Sequence, residues 1–206
     1  EADHPRVRGV AGAVDIEVDL DAPDAVRAVE GPHEDLVGHG TACAAIIRSL
    51  APDVELHSVR VLGASLKGSG ARLLAGIQWI ADREMPVANL SLSTKSEAYL
   101  AALHRVCDQA YFARTLLVCA ANNLPGPTYP TQFASVVSVA AMPGDDPWAL
   151  AYNARPPVEF GARGIDVDVA WAGGASTIAT GNSLAAPHIS AVIALIRAKH
   201  PDLAPF

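Results

Sequence analysis

The sequence predicts an α/β fold of three layers, a mostly parallel β-sheet flanked by helices on both faces. Three observations carry it: short β-branched runs alternate with longer helix-like runs, half of the residues are hydrophobic, and no internal repeat or low-complexity tract breaks the alternation. Strands that alternate with helices imply βαβ crossovers, which place helices on both faces of a sheet.

The elements follow in order. VRGVAGAVDI reads as a strand, GTACAAIIRSLA as a helix and VELHSVRVL as a strand. ARLLAGIQWIADRE then reads as a helix, VANLSLS as a strand, SEAYLAALHRVCDQAYFA as a helix, and TLLVCAA and ASVVSVAAM as further strands. A last helix starting at Asn182 or Ser183 places Ile189, Val192, Ile193 and Ile196 at three- and four-residue spacing, a face to bury. Pro187 falls near its first turn, where a missing N–H costs little.

With 206 residues the chain can bury one substantial core, so residues 1–206 read as a single domain. The net charge of -7, without a long basic run and with 5% aromatic residues, argues against nucleic acid as a partner. No apolar stretch reaches the roughly 18 to 20 residues of a membrane span. Cys43, Cys107 and Cys119 form neither a CxxC pair nor a disulfide framework, and their odd count leans toward a reducing, cytoplasmic compartment over a secreted one.

In parallel α/β sheets, polar residues that matter gather at the C-terminal ends of strands. The first strand runs into Asp15, VANLSL ends near Ser91 and Ser93, and TLLVCAA delivers Asn122 and Asn123. Two helix starts add His39 and Ser183. Taken alone, ATGNSLAAPHIS reads first as a helix start, with Asn182 or Ser183 as its cap. Asp15, His39 and Ser183 together carry a different meaning. A serine hydroxyl attacks only when an imidazole can take its proton, and the imidazole needs a carboxylate to fix its tautomer.

The flanking residues resemble a known family. GHGTACAA at 38–45 resembles the histidine motif of the subtilases, the subtilisin-like serine peptidases, and TGNSLAAPHIS resembles their serine motif with Asn182 in place of threonine. VAGAVDIEVD is similar to their aspartate strand, APDVELHSVRVL to the strand after the histidine helix, VANLSLS to the substrate-binding strand, and LLVCAANN with YPTQFASVVSVAA to the segment of the oxyanion asparagine. The resemblance implies a serine endopeptidase of subtilisin-like fold in which Ser183 is the nucleophile, His39 the base and Asp15 its orienting acid. It implies Asn123 as a donor of the oxyanion hole. Backbone of Gly68, Ser69 and Gly70 and of Ser91, Leu92 and Ser93 would pair with an extended peptide or protein substrate.

Several positions depart from the family pattern. Ile16 and Glu17 follow Asp15 where a small hydroxylated residue and glycine are usual; Asp15 is preferred to Asp19, and Asp21, Asp24 and Asp35 read as loop acids. Asn122 stands where glycine is usual. RSLAPDVEL passes directly from the histidine helix to the next strand, so the usual calcium loop reads as deleted and no metal or cofactor is expected; HEDL at 33–36 reads as a solvated turn. Cys43, one helical turn after His39, would sit beneath the imidazole as a small buried hydrophobe. Both ends are shorter than in relatives, so the chain is either a minimal core or a piece of a longer polypeptide, with a propeptide or further domain outside it. A narrow-specificity processing or acyl-transferring peptidase, and an inactive peptide-binding module that keeps the groove, are the competing readings.

Overall fold

The computed structural model describes residues 2–19, 25–155 and 157–204, so the acids Asp21 and Asp24 lie outside the described residues. The chain runs β1 (Gly12–Val18), β2 (Val26–Glu30), α1 (His39–Leu50), β3 (His57–Arg60), α2 (Gly70–Asp82), β4 (Val87–Leu90), α3 (Leu100–Phe112) and β5 (Leu116–Ala120). It continues through β6 (Val136–Met142), β7 (Leu150–Tyr152), β8 (Phe160–Arg163), β9 (Val167–Ala170), β10 (Ser176–Ala179) and α4 (Asn182–Lys199).

The three-layer α/β architecture is present, with its strands divided among separate sheets. The larger has the order β4-β5-β6-β8-β7, parallel except for β7 at the edge. The smaller has the order β2-β1-β3, with β1 parallel to β3 and antiparallel to β2. β9 and β10 form an antiparallel pair. β3 and β4 are therefore each an end strand, facing one another across the break.

β5 shows why its sequence is a continuous apolar run. Leu117 and Cys119 point into a core with Leu73 and Ile77 of α2 and Leu103 and Val106 of α3, while Val118 and Ala120 point to Ala185, Ala186 and Ile189 of α4. A strand covered on both faces has no solvent side to make polar. Each of the larger side chains buried there stabilises the fold by roughly 1.5 to 3 kcal/mol.

α4 departs from the one-sided pattern expected of it. Leu184 to Ala191 are buried all round, whereas Ile196 is 45% exposed. The first half is held between α1 and the sheet strands β4, β5, β6 and β8, and the second half emerges from that layer. α2 packs on the smaller sheet through Gly76, where a Cβ would lie 2.8 Å from Val61 Cγ1. Trp79 of α2 joins the same cluster and carries the Arg83 guanidinium 4.0 Å above its ring.

After α1, Arg48 gathers the chain. Its guanidinium donates to the carbonyls of Val7 (3.0 Å), Gly9 (3.3 Å), Pro52 (2.7 Å) and Val54 (2.6 Å). One fixed cation thus ties the N-terminal segment to the short turn leading to β3.

Candidate active site

His39 is the first residue of α1, and its placement depends on the two residues that set up the helix. Gly38 has φ 109°, a left-handed value that favours glycine, and a Cβ there would lie 2.5 Å from Ala172 N and 2.9 Å from the Trp171 ring. Asp35 is not a solvated loop acid. Its carboxylate accepts from the N–H groups of Val37 (3.2 Å), Gly38 (2.8 Å) and Thr41 (2.7 Å) and from the Thr41 hydroxyl (2.7 Å). Burial alone would raise its pKa, but these donors outweigh burial and hold it below the usual carboxylate value. The HEDL segment is thereby the cap of the histidine helix, satisfying N–H groups that a helix start leaves free.

Ser183 lies in the first turn of α4, and a set of hydrogen bonds fixes that turn. Asn182 Oδ1 accepts from Ala141 N (2.8 Å), and its Nδ2 donates to Ala121 O (3.2 Å) and Asn122 O (2.9 Å). Asn182 N donates to Asn123 Oδ1 (2.9 Å). A Cβ at Gly181 would lie 3.3 Å from Ser183 Oγ and 3.7 Å from Asn123 Nδ2, so the serine hydroxyl and this amide border the same small space. Asn122 instead closes its own turn, donating to Leu124 O at 2.7 Å, and it does not have a positive φ. This position therefore does not need the glycine that is usual in the family.

Pro187 is the sixth residue of α4 and not part of its first turn. It has no N–H to give to the carbonyl four residues back, which belongs to Ser183. That carbonyl accepts from Ser91 Oγ (2.7 Å) and Cys43 Sγ (3.6 Å) instead. Cys43 is therefore directed at the serine turn, with its thiol pKa pushed up by burial to about 11. The roles of Asn182 and Ser91 were not legible in the motif, since both act through side-chain bonds to distant backbone.

The cleft in front of Ser183 has a volume of about 570 Å³. His39, Asn123 and Ser183 line it with all six expected substrate-binding residues, Gly68, Ser69, Gly70, Ser91, Leu92 and Ser93. Ser69 also caps α2 by accepting from Arg72 N (3.2 Å), and Gly70 packs face-on against Tyr99, where a Cβ would clash at 2.2 Å.

Asp15 is the one expected catalytic residue that the structure does not bring to this cleft. It sits in β1 directly opposite Arg60 of β3, and its carboxylate is bonded to the Arg60 guanidinium. That bond is the main reason its pKa is lowered, against the opposing effect of burial. His33, bonded to Ser58 Oγ at 2.9 Å, is a second nearby charge partner. β1 is the inner strand of the smaller sheet, between β2 and β3, and Asp15 is not among the residues that line the cleft. Among the described residues no hydrogen bond reaches the His39 ring, and Asp35 is the carboxylate whose charge acts on it. Burial lowers the His39 pKa and Asp35 opposes that shift.

A doubly covered, largely parallel sheet with a serine and a histidine on two helix starts, facing one cleft, defines a subtilisin-like α/β protein. The subtilase family model (peptidase S8) matches residues 3–205, and the chain belongs to that family. It is 31% identical over 98% of its length to a thermostable alkaline protease of Halalkalibacterium halodurans, covering 55% of that protein. It is 32% identical over 80% of its length to the M-protease of Shouchella clausii, covering 46% of it, and 31% identical over 80% to subtilisin Savinase of Lederbergia lenta, covering 65%. The chain thus spans about half the length of the first two relatives. Among solved structures, a cold-adapted subtilisin-like serine proteinase superposes with a TM-score of 0.76 at 25% identity, covering 98% of this chain and 73% of that one.

Proposed function

We propose that this chain carries the nucleophile, base and oxyanion donor of a serine endopeptidase. The observation that carries the reading is the shared cleft of Ser183, His39 and Asn123, with Ser183 at a helix N-terminus. In the acylation step, Ser183 Oγ bonds to the scissile carbonyl carbon while its proton passes to His39. His39 then gives that proton to the leaving amine as the C–N bond breaks. Water attacks the acyl-enzyme with His39 again taking a proton, which returns to Ser183 as the acid product leaves. Asn123 Oδ1 accepts from Asn182 N–H, which leaves its Nδ2 as the donor for the developing oxyanion, beside first-turn N–H groups of α4 that have no partner inside the helix. An extended peptide lies between Gly68–Gly70 and Ser91–Ser93, adding a strand to the cleft walls.

A fluorophosphonate probe with intact-mass detection tests this. A single adduct, localised to Ser183 and slowed in His39→Ala, is expected; labelling that persists unchanged in Ser183→Ala overturns it. Cleavage of a peptide library then separates broad from single-substrate activity. The second reading, a peptide-binding module without turnover, has one observation behind it: among the described residues no carboxylate is hydrogen-bonded to the His39 ring. Peptide binding without any Ser183 adduct would favour it.

A further inference from the structure

The cleft in front of Ser183 has a charge opposite in sign to that of the chain. The chain carries 22 acidic residues against 15 lysines and arginines, yet among the described residues no Asp or Glu lines this cleft. The ionisable side chains that do line it are His39 and Lys67. Burial favours the neutral form of His39, so Lys67 is the standing charge. Its backbone is anchored on both sides. Gly63 N donates to Lys67 O (3.0 Å) and Leu66 N to Gly63 O (3.0 Å), which closes a turn over residues 63–67. On the other side Gly68 is pressed against the residue after β3, where a Cβ would lie 2.4 Å from Val61 O. The side chain itself is exposed and makes no hydrogen bond or ion pair among the described residues. Arg6, Arg27, Arg60 and Arg83, by contrast, each meet a carboxylate. Lys95, another of the chain's three lysines, is exposed directly after Thr94 on the other wall and adds to the same field. A charge at the rim of a cleft with apolar walls, here Leu62, Leu66 and Leu92, acts on a bound ligand more strongly than one on an open surface.

We propose that Lys67 is a specificity-determining residue, which selects peptides carrying a glutamate or aspartate two to four residues before the scissile bond. The position rests on the peptidase reading. With the scissile carbonyl between Ser183 and Asn123, the residues ahead of it run beside Gly68–Gly70, the stretch that Lys67 opens. An acidic side chain there meets an ammonium that has no carboxylate of its own to leave. The main chain of the peptide is held by the walls whatever its sequence, so the lysine adds preference and not the binding itself. A solvent-accessible pair of this kind is worth about two- to fivefold in affinity, and a lysine in the peptide at the same place is disfavoured by a similar factor. Glutamate is therefore preferred to lysine by about four- to twenty-five-fold.

The test uses peptide diphenyl phosphonates, whose phosphorus takes the place of the scissile carbonyl and so fixes the register. One apolar sequence carries a single Glu, Gln or Lys at the second, third or fourth residue before that point. Labelling rates are measured by intact mass on the 206-residue chain, and dissociation constants by fluorescence anisotropy on its Ser183→Ala variant. At one of the three positions Glu should exceed Lys by about four- to twenty-five-fold in both readouts, with Gln between them, and the ratio should fall toward one in 1 M salt. Lys67→Met should abolish the preference and Lys67→Glu should reverse it. Lys199→Met removes the same charge from the last turn of α4, about 24 Å along the helix from Ser183, and should leave the preference intact. Equal handling of the Glu and Lys peptides, or a preference that survives in Lys67→Met, overturns the role of Lys67, while a Ser183 adduct in the same samples keeps the peptidase reading. Glu-selective binding that depends on Lys67, with no adduct on Ser183, keeps Lys67 as the selector of bound peptide and sinks the peptidase reading. No saturable binding and no adduct overturns both.

Discussion

Ser91 Oγ donates a 2.7 Å hydrogen bond to the carbonyl of Ser183, the backbone acceptor that Pro187 leaves without its helical partner. The chain just after β4 and the first turns of α4 are thereby joined across 92 residues of sequence. Ser91→Ala should cost about 1 to 2 kcal/mol of stability, because a half-buried carbonyl keeps only the long contact to Cys43. Pro187→Ala restores an N–H at the right position in the helix. The double variant should therefore lose less than the sum of the singles, by roughly 0.5 kcal/mol or more in a denaturant-melt cycle. Strict additivity would show that the two residues do not share this carbonyl.

Asn122 and Asn123 are neighbours with separable tasks. Asn123→Ala removes an amide at the Ser183 hydroxyl and should lower turnover about a hundred- to a thousandfold, with KM little changed. Asn122→Ala removes a turn bond to Leu124 and should change turnover less than about fivefold. Steady-state kinetics on one fluorogenic peptide decides it, and equal losses would contradict the assignment.

Much of this was legible before any coordinate. Among the described residues, alternating runs located the four α-helices and the strands β1, β3, β4, β5 and β6, because strands covered on both faces advertise themselves as apolar runs. The serine, histidine and asparagine were readable because their chemistry needs particular residue types at element ends. Asp15 was misplaced for a physical reason: GAVDIEV is an apolar strand ending near an acid, and nothing in its pattern says that Arg60 will lie opposite it. Asp35 was passed over because a carboxylate in a short polar run reads alike whether it is solvated or collects four donors. β2, β7 and β10 are short and largely exposed, and β8 and β9 are only four residues long, so they carry little hydrophobic pattern.

Asp15 and Asp35 make opposite predictions. Asp15→Asn breaks the ion pair with Arg60 and should lower stability by about 1 to 3 kcal/mol, while leaving Ser183 labelling of the 206-residue chain within about twofold. Asp35→Ala removes the cap of the histidine helix, should cost about 1 to 2 kcal/mol, and should slow labelling as the start of α1 loosens. Thermal melts and labelling rates on the two variants separate them. A large rate loss in Asp15→Asn alone would return Asp15 to the catalytic centre.

Acidification should act in two windows. His33, His39 and His188 each have a pKa lowered first of all by burial, so the folded state favours their neutral forms. Their contribution is complete above the unfolded value of 6.5 and declines as pH falls from there through their folded values. Asp15 and Asp35, with lowered carboxylate pKa values, contribute above 3.8 and lose that contribution below it. Melting temperature should fall in two steps on the acid side. The labelling rate, which needs neutral His39, should have its acid midpoint below 6.5, and a midpoint above 6.5 would contradict the burial of this imidazole in the working state.

Arg48 predicts a purely structural effect. Its guanidinium holds four carbonyls from two segments, and hydrogen bonds from a charged donor are worth about 1.5 to 3 kcal/mol each where the alternative is an unpaired acceptor. Water can replace the donor at the more exposed of these carbonyls, Pro52 O, so the loss is smaller than the sum. Arg48→Met, which keeps the apolar stem and removes the charge, should cost roughly 2 to 4 kcal/mol. For a domain of this size that corresponds to a fall in Tm of about 4 to 16 °C. Arg48→Lys should recover only part of the loss, since a point charge on a flexible stem cannot reach Val7, Gly9, Pro52 and Val54 together. Full rescue by lysine would mean that the charge, and not the fork of donors, holds the N-terminal segment to the turn after α1.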